Sequence, residues 1–122
     1  MMGRDSVRLL VVEDEVLIAM QLRRNLESHG YYVYKPVTNA KAAIDSAEAQ
    51  KPDVVLMDIR LPGEMDGIDA AREIGTRHNI PVIFVTGYSD PDMVARARAV
   101  NPLALLGKPV DVGEIDAAIE SA

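Results

Sequence analysis

Residues 54–58 read Val-Val-Leu-Met-Asp, and this stretch decides the fold. Four apolar residues stand in a row, two of them β-branched, with no alternation of polar and apolar positions. A run of that length and pattern suits a parallel strand covered on both faces. It stops abruptly at a carboxylate, Asp58. Three further runs behave alike. Val7–Val12 leads into Glu13 and Asp14, Pro81–Val85 into Thr86, and Leu103–Leu106, across Gly107, into Lys108. A fifth run, Tyr31–Tyr34, is more polar and aromatic and reads as an edge strand.

Helical patterns separate these runs. Ile18, Ala19, Leu22 and Leu26 recur every three or four residues, and Gly30 stands where a helix would stop. The alanine-rich stretch Ala40–Gln50 carries Ala43, Ile44 and Ala47 on one face. Ile68, Ala71 and Ile74 mark a third helix, with Asp66 and Asp69 read as a loop residue and a solvated face. Asp90 and Pro91 make a cap and first-turn proline for a helix over Met93–Val100. Asp111 and Glu114 form a capping box ahead of Ile115, Ala118 and Ile119. Strand–helix alternation repeated five times predicts parallel strands, right-handed crossovers and helices on both faces. No linker, repeat or low-complexity tract interrupts the pattern, so residues 1–122 are read as a single domain.

Composition narrows the chemistry. The 122 residues are 48% hydrophobic and 26% charged, which excludes wholesale disorder. No apolar run reaches the roughly 20 residues of a membrane span, and the start MMGRDSVRLLVV lacks the pattern of a signal peptide. The absence of cysteine removes disulfides, zinc-thiolate sites, iron–sulfur clusters and thiol nucleophiles, and suits a reducing cytoplasm. With 19 acidic and 13 basic residues and no basic cluster beyond pairs such as Arg23–Arg24, direct nucleic-acid binding is not expected. One phenylalanine and four tyrosines are too few for a base-stacking platform.

In an open parallel sheet all the strand ends emerge on one edge, and ligands bind there where the strand order reverses. With order 2-1-3-4-5, Glu13, Asp14 and Asp58 converge at the reversal, flanked by Thr86 and Lys108. Three carboxylates brought together repel unless a cation joins them. All-oxygen donors in an incomplete cage favour Mg²⁺ or Mn²⁺ with waters retained. A hydroxyl and a lysine alongside make a site for a phosphoryl group, and a carboxylate can serve as its nucleophile.

The segments VVEDE (11–15), VVLMDIRLPGEMDG (54–67), VIFVTGY (82–88) and LLGKP (105–109) together resemble the receiver domains of two-component response regulators. The resemblance covers about residues 7–120 and implies a flavodoxin-like (βα)5 three-layer sandwich. It implies Asp58 as phosphoacceptor, Asp14 as a direct Mg²⁺ ligand, Glu13 as a ligand directly or through water, and the Arg60 backbone carbonyl as a further ligand. It implies that Thr86 and Lys108 bind the phosphoryl oxygens and that the Lys108–Pro109 peptide is cis. The donor would be a histidine kinase or a histidine phosphotransfer protein. The response would pass through helix four, strand five and helix five to an output domain or target protein.

Three departures stand out. The loop GEMDG is one residue longer than the commonest receiver form. The strand-five switch aromatic is replaced by Leu105. FVTGY (84–88) resembles the motif of a receiver subgroup that reads Phe-Ala-Thr-Gly, an apolar residue and then Tyr, except that here Tyr88 directly follows Gly87; the resemblance makes Tyr88 the substitute switch residue. Two provenances stay open: a stand-alone cytoplasmic regulator, or a module cut from a hybrid histidine kinase or multidomain regulator. A more distant alternative is a Mg²⁺-dependent phosphatase of similar fold. That chemistry needs a second carboxylate two residues past the nucleophile, where Arg60 stands. A flavodoxin would need a Ser/Thr/Gly-rich phosphate loop after strand one, and EDEVLI offers none.

Overall fold

A computed structural model describes residues 7–87 and 90–122. Five strands alternate with five helices: β1 (Arg8–Val12), α1 (Val16–Ser28), β2 (Tyr32–Val33), α2 (Ala40–Gln50), β3 (Val54–Met57), α3 (Gly67–His78), β4 (Val82–Thr86), α4 (Pro91–Ala99), β5 (Ala104–Gly107) and α5 (Val112–Glu120). The strands form one parallel sheet in the order β2-β1-β3-β4-β5. This is the expected flavodoxin-like sandwich.

Both faces of the sheet are covered, which explains the unbroken apolar runs. Leu10, Val12, Val55, Met57 and Phe84 face the layer containing Ala43, Ile44, Ile68, Ile74 and Ala97 from α2, α3 and α4. Leu9, Val11, Leu56, Ile83 and Val85 face Ala19, Leu26, Val112 and Ile115 from α1 and α5. Tyr31 lies buried in this second layer and donates from its hydroxyl to Asp116 on α5, tying that helix to the far side of the sheet.

The edge strand β2 is shorter than Tyr31–Tyr34, since only Tyr32 and Val33 pair with β1. Pro36, which has no N–H to donate, follows closely. The chain still tracks β1, with Tyr34 N–H on the Leu9 carbonyl and Val37 N–H on that of Val11. Helix α4 begins at Pro91 and not at Met93, with Asp90 accepting from the Asp92 N–H. The Asp111–Glu114 capping box is formed.

Asp66 and Asp69 depart from their expected roles. Asp66 is the N-cap of α3: its Oδ1 accepts from the Asp69 N–H (3.0 Å), and Asp69 Oδ2 accepts from the Asp66 N–H (3.2 Å). In the preceding loop Gly63 takes φ +102°, a conformation that costs glycine little.

Candidate metal and phosphoryl site

Register brings the strand ends together. Val12 pairs with Met57, so Glu13 and Asp58 leave adjacent strands side by side. Thr86 pairs with Gly107, so Lys108 leaves β5 beside it. Main-chain bonds hold each exit: Asp58 N–H to the Val12 carbonyl (3.0 Å), Glu13 N–H to that of Val37 (3.0 Å), and Lys108 N–H to that of Thr86 (2.9 Å). The Lys108–Pro109 peptide is cis.

The side chains then meet. Ligand atoms of Glu13, Asp14 and Asp58 all lie within 4.8 Å of one another. Glu13 is 4% exposed and Asp58 6%, while Asp14 stands open to solvent. Asp14 does not cap α1: the N-cap is Glu15, which makes no side-chain capping bond. Lys108 Nζ donates to Glu13 Oε1 (2.5 Å) and to Asp58 Oδ2 (3.0 Å). Glu13 Oε2 accepts from the Glu15 N–H (3.0 Å). Burial pulls the Lys108 pKa down, but its hydrogen bonds to Glu13 and Asp58 outweigh that and raise it above 10.5.

Asp58 Oδ1 is buried and, among the described residues, has no hydrogen-bond partner. A buried carboxylate oxygen left unpaired is costly unless something else binds it. Together with a group of three carboxylates of which one ammonium engages only Glu13 and Asp58, this makes the donor set compatible with Mg²⁺. Thr86, 5% exposed, closes the β4 side. A cavity of about 400 Å³ opens beside the acids, walled by Ile18 and Leu22 of α1 and by Pro109 and Val110.

Of the other expected site residues, Arg60 is exposed on the loop two positions past Asp58. Leu105 is half-buried, opposite Phe84 in register, and packs toward the α2–α3–α4 layer. Tyr88 lies outside the described residues. One residue escaped the sequence reading. Gly67, the first residue of α3, donates its N–H to the Ile59 carbonyl (2.7 Å), and a Cβ there would sit 1.9 Å from the Asp58 carbonyl oxygen. The start of α3 is thus seated on the backbone of Asp58 and Ile59. The signal in the sequence was the Asp-Gly pair closing the loop.

The family model of the response regulator receiver domain matches residues 9–120. The chain belongs to this family. The receiver domain is 40% identical over 115 residues to the transcriptional regulatory protein PdtaR of Mycobacterium tuberculosis, covering 94% of this chain and 56% of that protein. It therefore spans about half the length of that relative. It is 32% identical over 114 residues to sporulation initiation phosphotransferase F of Bacillus subtilis, covering 93% of this chain and 90% of that one. Among solved structures it resembles the signal receiver domain of a modulated diguanylate cyclase from Desulfovibrio desulfuricans G20. The TM-score is 0.88 and the identity 39%, over 94% of this chain and 91% of that one. The receiver domain is a phosphoacceptor module of two-component signalling. Among the described residues, no helix is long and apolar enough to cross a membrane.

Proposed function

We propose that Asp58 accepts a phosphoryl group from the phosphohistidine of a histidine kinase or histidine phosphotransfer protein. The observation that carries this reading is the Asp58 carboxylate: buried, unpartnered at Oδ1, and grouped with Glu13 and Asp14. The carboxylate attacks phosphorus, the P–N bond breaks, the imidazole leaves, and an aspartyl phosphate forms. Mg²⁺, held by Asp14, Asp58, the Arg60 carbonyl and Glu13, directly or through water, would neutralise the carboxylates against the incoming phosphate. Lys108, released from its acid partners, pairs with a phosphoryl oxygen, and the Thr86 hydroxyl binds another. The domain acts as a switch that catalyses its own phosphorylation and dephosphorylation, not as a turnover enzyme, and works in the cytoplasm. Its output surface is α4–β5–α5, offered to a further domain or a separate target.

Docking of the donor falls to α1. Val16 (58% exposed), Leu17 (81%) and Met20 (52%) present an apolar patch on the helix that follows Asp14. Intact mass measured with Mg²⁺ and acetyl phosphate tests the acceptor. The wild type should gain one phosphoryl group and Asp58→Asn none; a full adduct on the variant overturns the assignment. Leu17→Asp should slow transfer from a phosphohistidine donor at least about tenfold while leaving the acetyl phosphate reaction intact.

A further inference from the structure

Helix α4 fully buries one side chain, Ala97, among its nine residues, while Met93 and Val100 pack partly buried against the same layer. Its N-terminus is reached from Thr86 through Gly87 and residues 88–89. To this modest apolar contact the described residues add an ionic tether. Arg96 Nη2 lies 3.2 Å from Asp66 Oδ2 and 3.8 Å from Asp69 Oδ1. These two aspartates are the capping box of α3, so Arg96 grips the start of that helix with the oxygens the caps leave free. The start of α3 is in turn seated on the acceptor. Gly67 follows Asp66 directly, bonds the Ile59 carbonyl, and leaves no room for even a methyl group against the Asp58 carbonyl.

We propose that Arg96 is a latch holding α4 to the acceptor loop, so that the resting position of α4 is set by the backbone just after Asp58. The connection is continuous: Asp58 and Ile59 main chain, Gly67, the Asp66–Asp69 box, Arg96, α4. Every link but the last is backbone contact or capping bond, so a shift at residues 58–60 carries Asp66 with it. The last link is a half-exposed ion pair, with side chains 50% and 30% exposed. Such a pair is weak enough to open and is screened by salt. This route does not pass through β5, where Leu105 supplies no ring to turn. What opens the latch rests on the reading of Asp58 as acceptor; the latch itself stands without it.

Amide hydrogen exchange across residues 93–100 tests it. Arg96→Met keeps length and helix propensity but loses the charge. Asp66→Asn keeps the N-cap but loses the charge. Each should speed exchange in α4 about two- to fivefold, the range of an exposed ion pair. The double variant should be no faster than either single one, and Arg98→Met should leave the rates unchanged. High salt should bring the wild type toward Arg96→Met. Equal rates in Arg96→Met and wild type, or additive effects in the double variant, overturn the latch. A second arm adds Mg²⁺ and beryllofluoride, a phosphoryl mimic. The wild-type α4 should then exchange as fast as in Arg96→Met, and Arg96→Met should gain little more. An equal further gain in both overturns the latch as the route. No response in the wild type overturns the latch as the route where acetyl phosphate still modifies Asp58, and overturns the acceptor reading where it does not.

Discussion

Lys108 grips Glu13 and Asp58 at once, and removing that grip leaves two buried carboxylates facing each other. Lys108→Met should therefore lower the stability of the metal-free protein by about 1–3 kcal/mol, with Mg²⁺ restoring part of it. Urea titrations with and without the ion measure both. The pH dependence follows from the raised pKa. Stability from this ammonium is complete below 10.5 and is lost as pH rises through the higher folded value. The wild type should lose its advantage over Lys108→Met across that range. Gly67 makes a second residue-scale case. A methyl group 1.9 Å from the Asp58 carbonyl forces backbone apart, so Gly67→Ala should destabilise by at least about 2 kcal/mol and blunt phosphoryl uptake. Unchanged urea midpoint and uptake would show that the loop gives way freely. The two residues differ in legibility. Lys108 follows an apolar run and so announces a strand end. The role of Gly67 depends on two backbone segments nine residues apart lying in contact, which no local pattern encodes.

Among the elements, α3 carries the cleanest test. Asp66→Ala removes its N-cap and should cost about 0.5–2 kcal/mol, whereas Asp66→Asn should keep most of that. Asp69 is held below its ordinary 3.8 first by the Asp66 N–H, against desolvation, and then by the Asp66 side chain, Arg96 and Arg72. A lowered carboxylate pKa stabilises the fold above the ordinary value and loses that as pH falls through the folded one. NMR titration of Asp69 should show its midpoint below 3.8 in the wild type and nearer to it in Asp66→Ala. This capping box escaped the sequence because its third position carries Asp, where Glu or Gln is the usual mark. The Asp111–Glu114 box carries Glu there and was legible. Helix α2 was legible over its whole length from its alanine-rich face of Ala43, Ile44 and Ala47; the structure adds the Asn39 cap and the left-handed Lys51 that ends it. Strand β2 was not, because its extent depends on how far a neighbour accompanies it and not on its own residues.

At the scale of the molecule, the alternation of runs and helices was enough to read a parallel sheet and the edge where the polar residues gather, while its order, 2-1-3-4-5, came with the family resemblance. Doubly covered strands leave an apolar signature, and parallel strands must all end on one side. Contacts between distant surfaces were not readable in this way: Arg96 and Asp66 are 30 positions apart, and Tyr31 and Asp116 are 85. The second of these contacts has an optical consequence. The chain has no tryptophan, so its near-ultraviolet emission comes from four tyrosines. A phenol donating to a carboxylate passes its proton readily when excited, and its ordinary emission is quenched. Tyr31 should therefore be dim while its hydroxyl bonds Asp116, and should brighten on any change that withdraws the Asp116 carboxylate. Asp116→Asn, which keeps an acceptor but no charge, should raise the tyrosine emission of the resting protein. Any rise on phosphorylation in the wild type should be absent in Tyr31→Phe, so that the protein reports the loss of the Tyr31–Asp116 contact without an added dye.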